Sequence, residues 1–330
     1  MKSSIIIDAH VHPAGPAIES TDDYTTMEKL MLEKQAEADR VETIIKGMDK
    51  YGIDKSIGLI SQGISILPEE NERLIKVAQE NPDRFPAVMV GFSTPPVPSE
   101  VKGENAAREI ESYLKIPQVK GVGEWALMGA SGMENWPELW ARYRPIMDVL
   151  AENNAVALFH TGIAPYLHRT PRLRSNSKEG WGAQRALWFS NPAFIDDIAT
   201  EYPDVSIIIA HIGVQGFFYF GAYADMALLV AARHENVYLE TSSTPLEVVE
   251  KAVCDPAIGP EKIIFGTDTP APFGHYHYKD KVYPSYSRRP PDSYPDHYKY
   301  DLSVVENLPV HDREKDMILG GNIARLLGLE

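Results

Sequence analysis

The sequence predicts a single (β/α)8 barrel over residues 1–330, and three observations carry that expectation. Eight β-rich apolar runs recur along the chain, with helix-length sequence between them. Strand–helix alternation implies a parallel sheet, and eight units is the number that closes a barrel. Metal-competent side chains stand where several of these runs stop, and barrels of this kind keep their chemistry at the C-terminal ends of the strands. A doubly wound open sheet is the alternative architecture.

The elements follow in order. Ile5 to Ala9 is the first strand, with consecutive Ile residues that suit a strand buried on both faces. A helix through Val41 to Tyr51 leads to a second strand, Lys55 to Ile60. A helix from Glu69 to Gln79 precedes the third, Phe85 to Gly91. The fourth, Gln118 to Glu124, follows a helix around Ala106 to Leu114. A helix around Ile146 to Glu152 leads to the fifth, ending at His160, and one from Pro192 to Tyr202 to the sixth, ending at His211. The seventh, Val237 to Thr241, follows Ala222 to Arg233. The eighth, ending at Asp268, follows Leu246 to Val253, and a last helix spans Glu314 to Leu327. Two connections exceed ordinary lengths: polar Pro13 to Asp39 after strand one, and Pro270 to Pro309, rich in Tyr, Pro and His, after strand eight. Long loops of this kind are usually lids or binding loops, so both are expected to cap the site face.

Composition narrows the class. Hydrophobic content of 44% fits a globular chain with a large core, and no apolar run approaches the roughly 18 residues of a membrane span. The net charge of −15 argues against nucleic acid or an anionic membrane as partner. Met1-Lys2-Ser3-Ser4 leads straight into a strand without a signal-peptide pattern. The one cysteine, Cys254, excludes an internal disulfide framework and suits a reducing compartment. A cytoplasmic protein with a small-molecule substrate is expected, with a homo-oligomer left open.

The site residues come from the strand ends. In Ile7-Asp8-Ala9-His10-Val11-His12, residues two apart on a strand point the same way, so both imidazoles leave one face. Leu158-Phe159-His160-Thr161-Gly162, Ile209-Ala210-His211-Ile212-Gly213 and Phe265-Gly266-Thr267-Asp268 repeat the design. A buried core histidine is the ordinary reading of any one of these. Five such residues at the ends of apolar strands point instead to a divalent metal site.

These motifs, with the tail Ile318-Leu319-Gly320-Gly321-Asn322-Ile323-Ala324-Arg325-Leu326-Leu327-Gly328-Leu329, resemble in matching order the amidohydrolase superfamily. The likeness is to its amidohydrolase-related branch, which includes aminocarboxymuconate semialdehyde decarboxylase. The resemblance implies that His10, His12, His160 and Asp268 occupy metal-site positions. It implies that His211 either contacts the metal or polarises its water. In some branches a strand-four Glu bridges two metals and in others a carboxylated Lys does so, while in single-metal members neither is a ligand. Glu124 in Val122-Gly123-Glu124-Trp125 is therefore a bridging candidate or a partner holding a metal-bound His, and Lys120 is the carbamate candidate.

His and carboxylate ligands suit one or two Zn²⁺ ions, with Mn²⁺ or Fe²⁺ as alternatives. A bound ion acidifies its water and polarises a carbonyl. Asp268 is expected to take the water's proton and return it to the leaving group, with His211 orienting the water or stabilising the oxyanion. That chemistry hydrolyses a lactone, amide or ester. The alternative is non-oxidative decarboxylation of an aromatic or muconate-like acid, and a non-catalytic metal-binding barrel ranks behind both. Arg169, Arg172 and Arg174 after strand five suggest an anionic substrate, against the plainer reading of a solvated loop. His275 is a candidate for the pocket lining and Trp125 for an aromatic wall, with core packing as the plainer reading of the indole.

Overall fold

The computed structural model describes residues 5–14, 40–60, 68–92, 102–126, 136–162, 191–214, 220–269, 273–278, 281–286 and 297–329. Eight strands lie side by side in chain order: β1 (Ile7–Val11), β2 (Lys55–Leu59), β3 (Ala87–Val90), β4 (Val119–Ala126), β5 (Val156–His160), β6 (Ile207–Ile209), β7 (Val237–Glu240) and β8 (Ile263–Ile264). Each neighbouring pair is parallel. Backbone hydrogen bonds close the ring between the first strand and the segment leaving the last. The amides of Ala9, Asp268 and His12 donate to the carbonyls of Phe265 (3.0 Å), His10 (2.7 Å) and Thr269 (2.7 Å). The helices between strands are α1 (Arg40–Tyr51), α2 (Pro68–Glu80), α3 (Gly103–Tyr113), α4 (Trp136–Glu152), α5 (Ala193–Glu201), α6 (Phe220–Arg233) and α7 (Leu246–Cys254).

Strand alternation divides the core into two layers. Ile7, Ile57, Met89, Leu158, Ile208 and Ile264 belong to one buried cluster inside the barrel. Their strand neighbours Val88, Phe159, Ile207, Ile209, Val237 and Leu239 pack in the other, with the surrounding helices. A barrel filled in this way is a packed core and not a pore. Its functional surface is therefore the rim where the strands end.

The structure departs from the sequence expectation in places with identifiable causes. Helix α4 begins at Trp136, ten residues before the expected start, and runs through Pro145. Its first half is held by packing: the ring of Trp136 stacks on Trp140 (5.7 Å) and Phe194 (4.3 Å). The segment after β8 is not loop throughout. It contains an antiparallel pair, β9 (Phe273–Tyr278) and β10 (Lys281–Tyr286), then helix α8 (His297–Glu306). The tail folds as α9 (Asp312–Asp316), a π turn (Met317–Gly321) and α10 (Asn322–Leu327), and α10 packs Ile323 and Leu327 into the interior cluster. The connection after β1 falls outside the described residues beyond Ala14. Among the described residues, no helix is long and apolar enough to cross a membrane.

Candidate metal centre

The rim gathers six of the sequence-predicted residues: His10, His12, Glu124, His160, His211 and Asp268. All are buried, between 0% and 7% exposed. His10 lies on β1 and His12 just beyond it, and their Nε2 atoms approach to 3.2 Å. The Asp268 carboxylate closes on both, with Oδ1 at 3.0 Å from His12 Nε2 and 3.5 Å from His10 Nε2. Its other oxygen is 3.9 Å from His211 Nε2.

Glu124, near the end of β4, stands between two histidine pairs. Its Oε2 is 3.7 Å from the Nε2 atoms of both His10 and His12. Its Oε1 lies 3.1 Å from His211 Nε2 and makes a close contact with His160 Nδ1. Lys120 lies four residues earlier on the strand, about 13 Å along it, so Glu124 is the β4 side chain at the rim. Among the described residues, three overlapping sets have ligand atoms within 4.8 Å of one another: His10, His12 and Glu124; His10, His211 and Asp268; and Glu124, His160 and His211.

The imidazoles are oriented from behind. His12 Nδ1 faces the Leu59 carbonyl at 3.2 Å, His10 Nδ1 faces Glu240 Oε2 at 3.0 Å, and His211 Nδ1 faces Ser242 Oγ at 2.8 Å. With Nδ1 donating in each ring, the Nε2 lone pair turns toward the cluster. This is the tautomer that metal ligation through Nε2 requires. The donor set therefore fits a divalent ion, with neutral His nitrogens and carboxylate oxygens converging on one buried point.

Electrostatics support the same reading. Burial disfavours charge on His10, but the carboxylates of Asp268, Glu240 and Glu124 outweigh it and raise the imidazole well above its ordinary value. Burial likewise pushes His211 down, and hydrogen bonding to Glu124 with the charge of Asp268 more than reverses it. Desolvation would raise Glu124, yet His160 and His10 hold it well below the usual carboxylate range. Glu124 thus holds its charge against the proton-binding imidazoles of His10 and His211, and a divalent cation would substitute for those protons.

Some expectations meet a different structure. Trp125 does not line the rim. Its indole is fully buried in the outer core layer, 4.9 Å from the Phe159 ring and 5.2 Å from Tyr143. Adjacent residues on a strand point to opposite faces, so the Glu124 side chain takes the site and Trp125 takes the core. His275 lies in β9 of the hairpin, and its side chain is outside the described set. Arg169, Arg172 and Arg174 lie outside the described residues altogether. Glu240 was not among the sequence candidates. It carries the same signal as the others, a charged residue where the apolar run Val237-Tyr238-Leu239 stops. Asp8 ties β1 to the segment after β8, accepting from the Thr267 amide (3.0 Å) and hydroxyl (2.6 Å). Burial pushes its carboxyl up to about 7.

Comparison with known proteins agrees with this geometry. The family model described as Amidohydrolase (Amidohydro_2) matches residues 7–329. No curated protein matches the chain. Among solved structures, the chain is similar to 5-carboxyvanillate decarboxylase from Sphingomonas paucimobilis, with a TM-score of 0.61, 16% identity and 99% of each chain covered. It is similar to 5-carboxyvanillate decarboxylase from Novosphingobium aromaticivorans complexed with manganese, with a TM-score of 0.59, 18% identity and 99% and 96% of the two chains covered. It is also similar to a protein from Acinetobacter baumannii described as a probable 2-pyrone-4,6-dicarboxylic acid hydrolase, with a TM-score of 0.54, 13% identity and 98% and 99% covered. At these identities the likeness concerns the fold.

Proposed function

The chain belongs to the amidohydrolase family, and on that premise we propose that it is a metal-dependent hydrolase of a small, anionic lactone, amide or ester. The observation that carries this reading is the Glu124 carboxylate between two histidine pairs, with Oε2 toward His10 and His12 and Oε1 toward His160 and His211. A carboxylate in that position would suit a bridge between two ions, with Asp268, within 3.5 Å of both β1 histidines, completing the half-site of His10 and His12. Zn²⁺ is the expected metal for these donors, and the manganese in a structural neighbour keeps Mn²⁺ as an alternative beside Fe²⁺.

A divalent ion held there supplies an acidified water and a polarised carbonyl when bound. Asp268, whose Oδ1 faces the β1 histidines, takes the proton from the attacking water and passes it to the leaving group. His211 Nε2, 3.9 Å from Asp268 Oδ2, either holds the ion itself or orients its water. Arg169, Arg172 and Arg174 supply positive charge for an anionic substrate. With one cysteine in the chain, the cytoplasm is the expected compartment.

The decarboxylase alternative uses the same residues, and structural neighbours described as decarboxylases keep it in view. Products separate the two. Protein loaded with Zn²⁺ or Mn²⁺ is offered lactones and amides beside aromatic and muconate-like acids in ¹⁸O-labelled water. Hydrolysis places the label in a new product carboxylate. Release of CO₂ without label in the organic product overturns the hydrolase reading and promotes the alternative.

A further inference from the structure

We infer that Glu240, acting with Ser242, is the positioning residue that fixes His10 and His211 as Nε2 ligands and links the two halves of the centre. The inference rests on the metal-centre reading above and deepens it. Glu240 ends β7, is 0% exposed and does not face the cluster directly. It acts through the histidines. Its Oε2 accepts from His10 Nδ1 at 3.0 Å, from the Ser242 hydroxyl at 2.8 Å and from the His211 amide at 3.3 Å. Its Oε1 accepts from the Ser242 amide at 2.6 Å. Because the Ser242 hydroxyl spends its one proton on Glu240, its oxygen is left to accept from His211 Nδ1 at 2.8 Å. The Ser242 carbonyl, 3.3 Å from the same nitrogen, favours the same tautomer. One carboxylate therefore sets the proton on two imidazoles, directly for His10 and through a hydroxyl for His211.

The surroundings leave Glu240 little room for another arrangement. A Cβ at Gly266 would lie 2.2 Å from Glu240 Oε1 and 2.9 Å from the His10 Cβ, so glycine is what lets the segment after β8 pass this close. A neutral isostere fails at this position for a reason of donor count. Glutamine turns one oxygen into an NH₂ group. In one orientation that group confronts the Ser242 amide. In the other it confronts His10 Nδ1–H and the Ser242 hydroxyl. Either way a buried donor meets a donor, and the other orientation releases the His10 tautomer.

The test uses the full chain stripped with a chelator and titrated with Co²⁺ alone, reading affinity, stoichiometry and the visible absorption spectrum. Glu240→Gln is expected to weaken both binding steps by about 10–100-fold and to change the spectrum at saturation, the range for lost partners behind metal ligands. Ser242→Ala removes only the hydroxyl and leaves the Ser242 amide on Glu240 Oε1. It is expected to weaken only the step involving His211, and it carries the test if Glu240→Gln does not fold. Wild-type Co²⁺ affinity and spectrum in both variants would overturn the assignment while the metal-centre reading stands. Absence of Co²⁺ binding by the wild-type protein would overturn the metal-centre reading and this assignment with it.

Discussion

The Asp301→Asn substitution isolates one buried charge behind the centre. Asp301 sits on α8 with 0% exposure, its Oδ1 accepts from the Ser243 amide at 3.0 Å, and its Oδ2 has no hydrogen-bond partner among the described residues. Burial pushes the carboxyl well above its ordinary 3.8, the Ser243 amide opposes that, and the nearby carboxylates of Glu240, Asp8 and Asp268 reinforce it. The folded protein therefore keeps this proton at pH values where the unfolded chain has lost it. Between the two pKa values the native state binds one more proton, so stability falls as pH rises, by about 1.4 kcal/mol per pH unit. The loss begins near the unfolded value and ends once pH passes the folded one. Asparagine keeps the acceptor for Ser243 and carries no charge, so the variant lacks this decline. For 330 residues, an unfolding entropy near 2.1 cal/mol/K per residue turns that slope into about 2 °C of Tm per pH unit. Calorimetry of both proteins in chelated buffer, at a series of pH values rising from about 4.5, should show the variant gaining on the wild type by up to about 2 °C per pH unit until the folded carboxyl titrates. A gap that stays constant or narrows as pH rises refutes the buried neutral carboxyl.

Three further outcomes are expected, two from the centre and one from the arginines after β5. Asp268→Ala should cut turnover by at least about 10²–10⁴-fold, the range for a lost general base, while circular dichroism still shows a folded barrel; unchanged turnover would sink the mechanism. Glu124→Gln should lower metal stoichiometry toward one per chain as well as rate if the carboxylate bridges, and two ions retained at limiting metal would exclude bridging. Arg172→Ala and Arg174→Ala should raise KM more than they lower kcat if the substrate is anionic, a pattern read from initial rates over a range of substrate concentration.

The barrel was legible in the sequence because strands buried on both faces read as largely apolar runs, unbroken in Ala87–Val90 and Ile207–Ile209 and interrupted by single polar residues in Ile7–Val11. Most of the rim was legible too, since His10, His12, His160, His211 and Asp268 each end such a run. Glu240 ends one as well, yet a lone carboxylate after Leu239 has no local partner to mark it. Its partner His10 is 230 positions away, and only closure of the ring brings β7 and β1 to the same centre. Trp125 follows Glu124 in sequence, so proximity suggested a shared role, whereas the strand sends neighbours to opposite faces. The early start of α4 was hidden by Pro145, a residue that usually marks a helix end, and was restored by the stacked rings of Trp136, Trp140 and Phe194.

The side chains at the rim are not all aimed by the strands. Among the described residues, His211, Ile212, Ser243 and Asp268 have φ between 46° and 62°, and only Asn154 joins them outside glycine. The regular part of β6 stops at Ile209 and that of β8 at Ile264, so His211 and Asp268 are turned by left-handed backbone and not by strand alternation. Such conformations cost of order 1–3 kcal/mol each and persist where the surroundings fix them. Here the fixing groups are visible. The Thr161 hydroxyl donates to the Ala210 carbonyl at 2.6 Å and accepts from the Gly213 amide at 2.9 Å, spanning the turn that carries His211. The Thr244 hydroxyl donates to the His211 carbonyl at 3.1 Å. The Asp268 amide is held by the His10 carbonyl, so the turn that presents the carboxylate is pinned to the strand that presents the first histidine pair. In His160-Thr161-Gly162 the threonine thus clamps the neighbouring turn while the histidine before it faces the centre. The motif reads as one candidate ligand together with the support for the next.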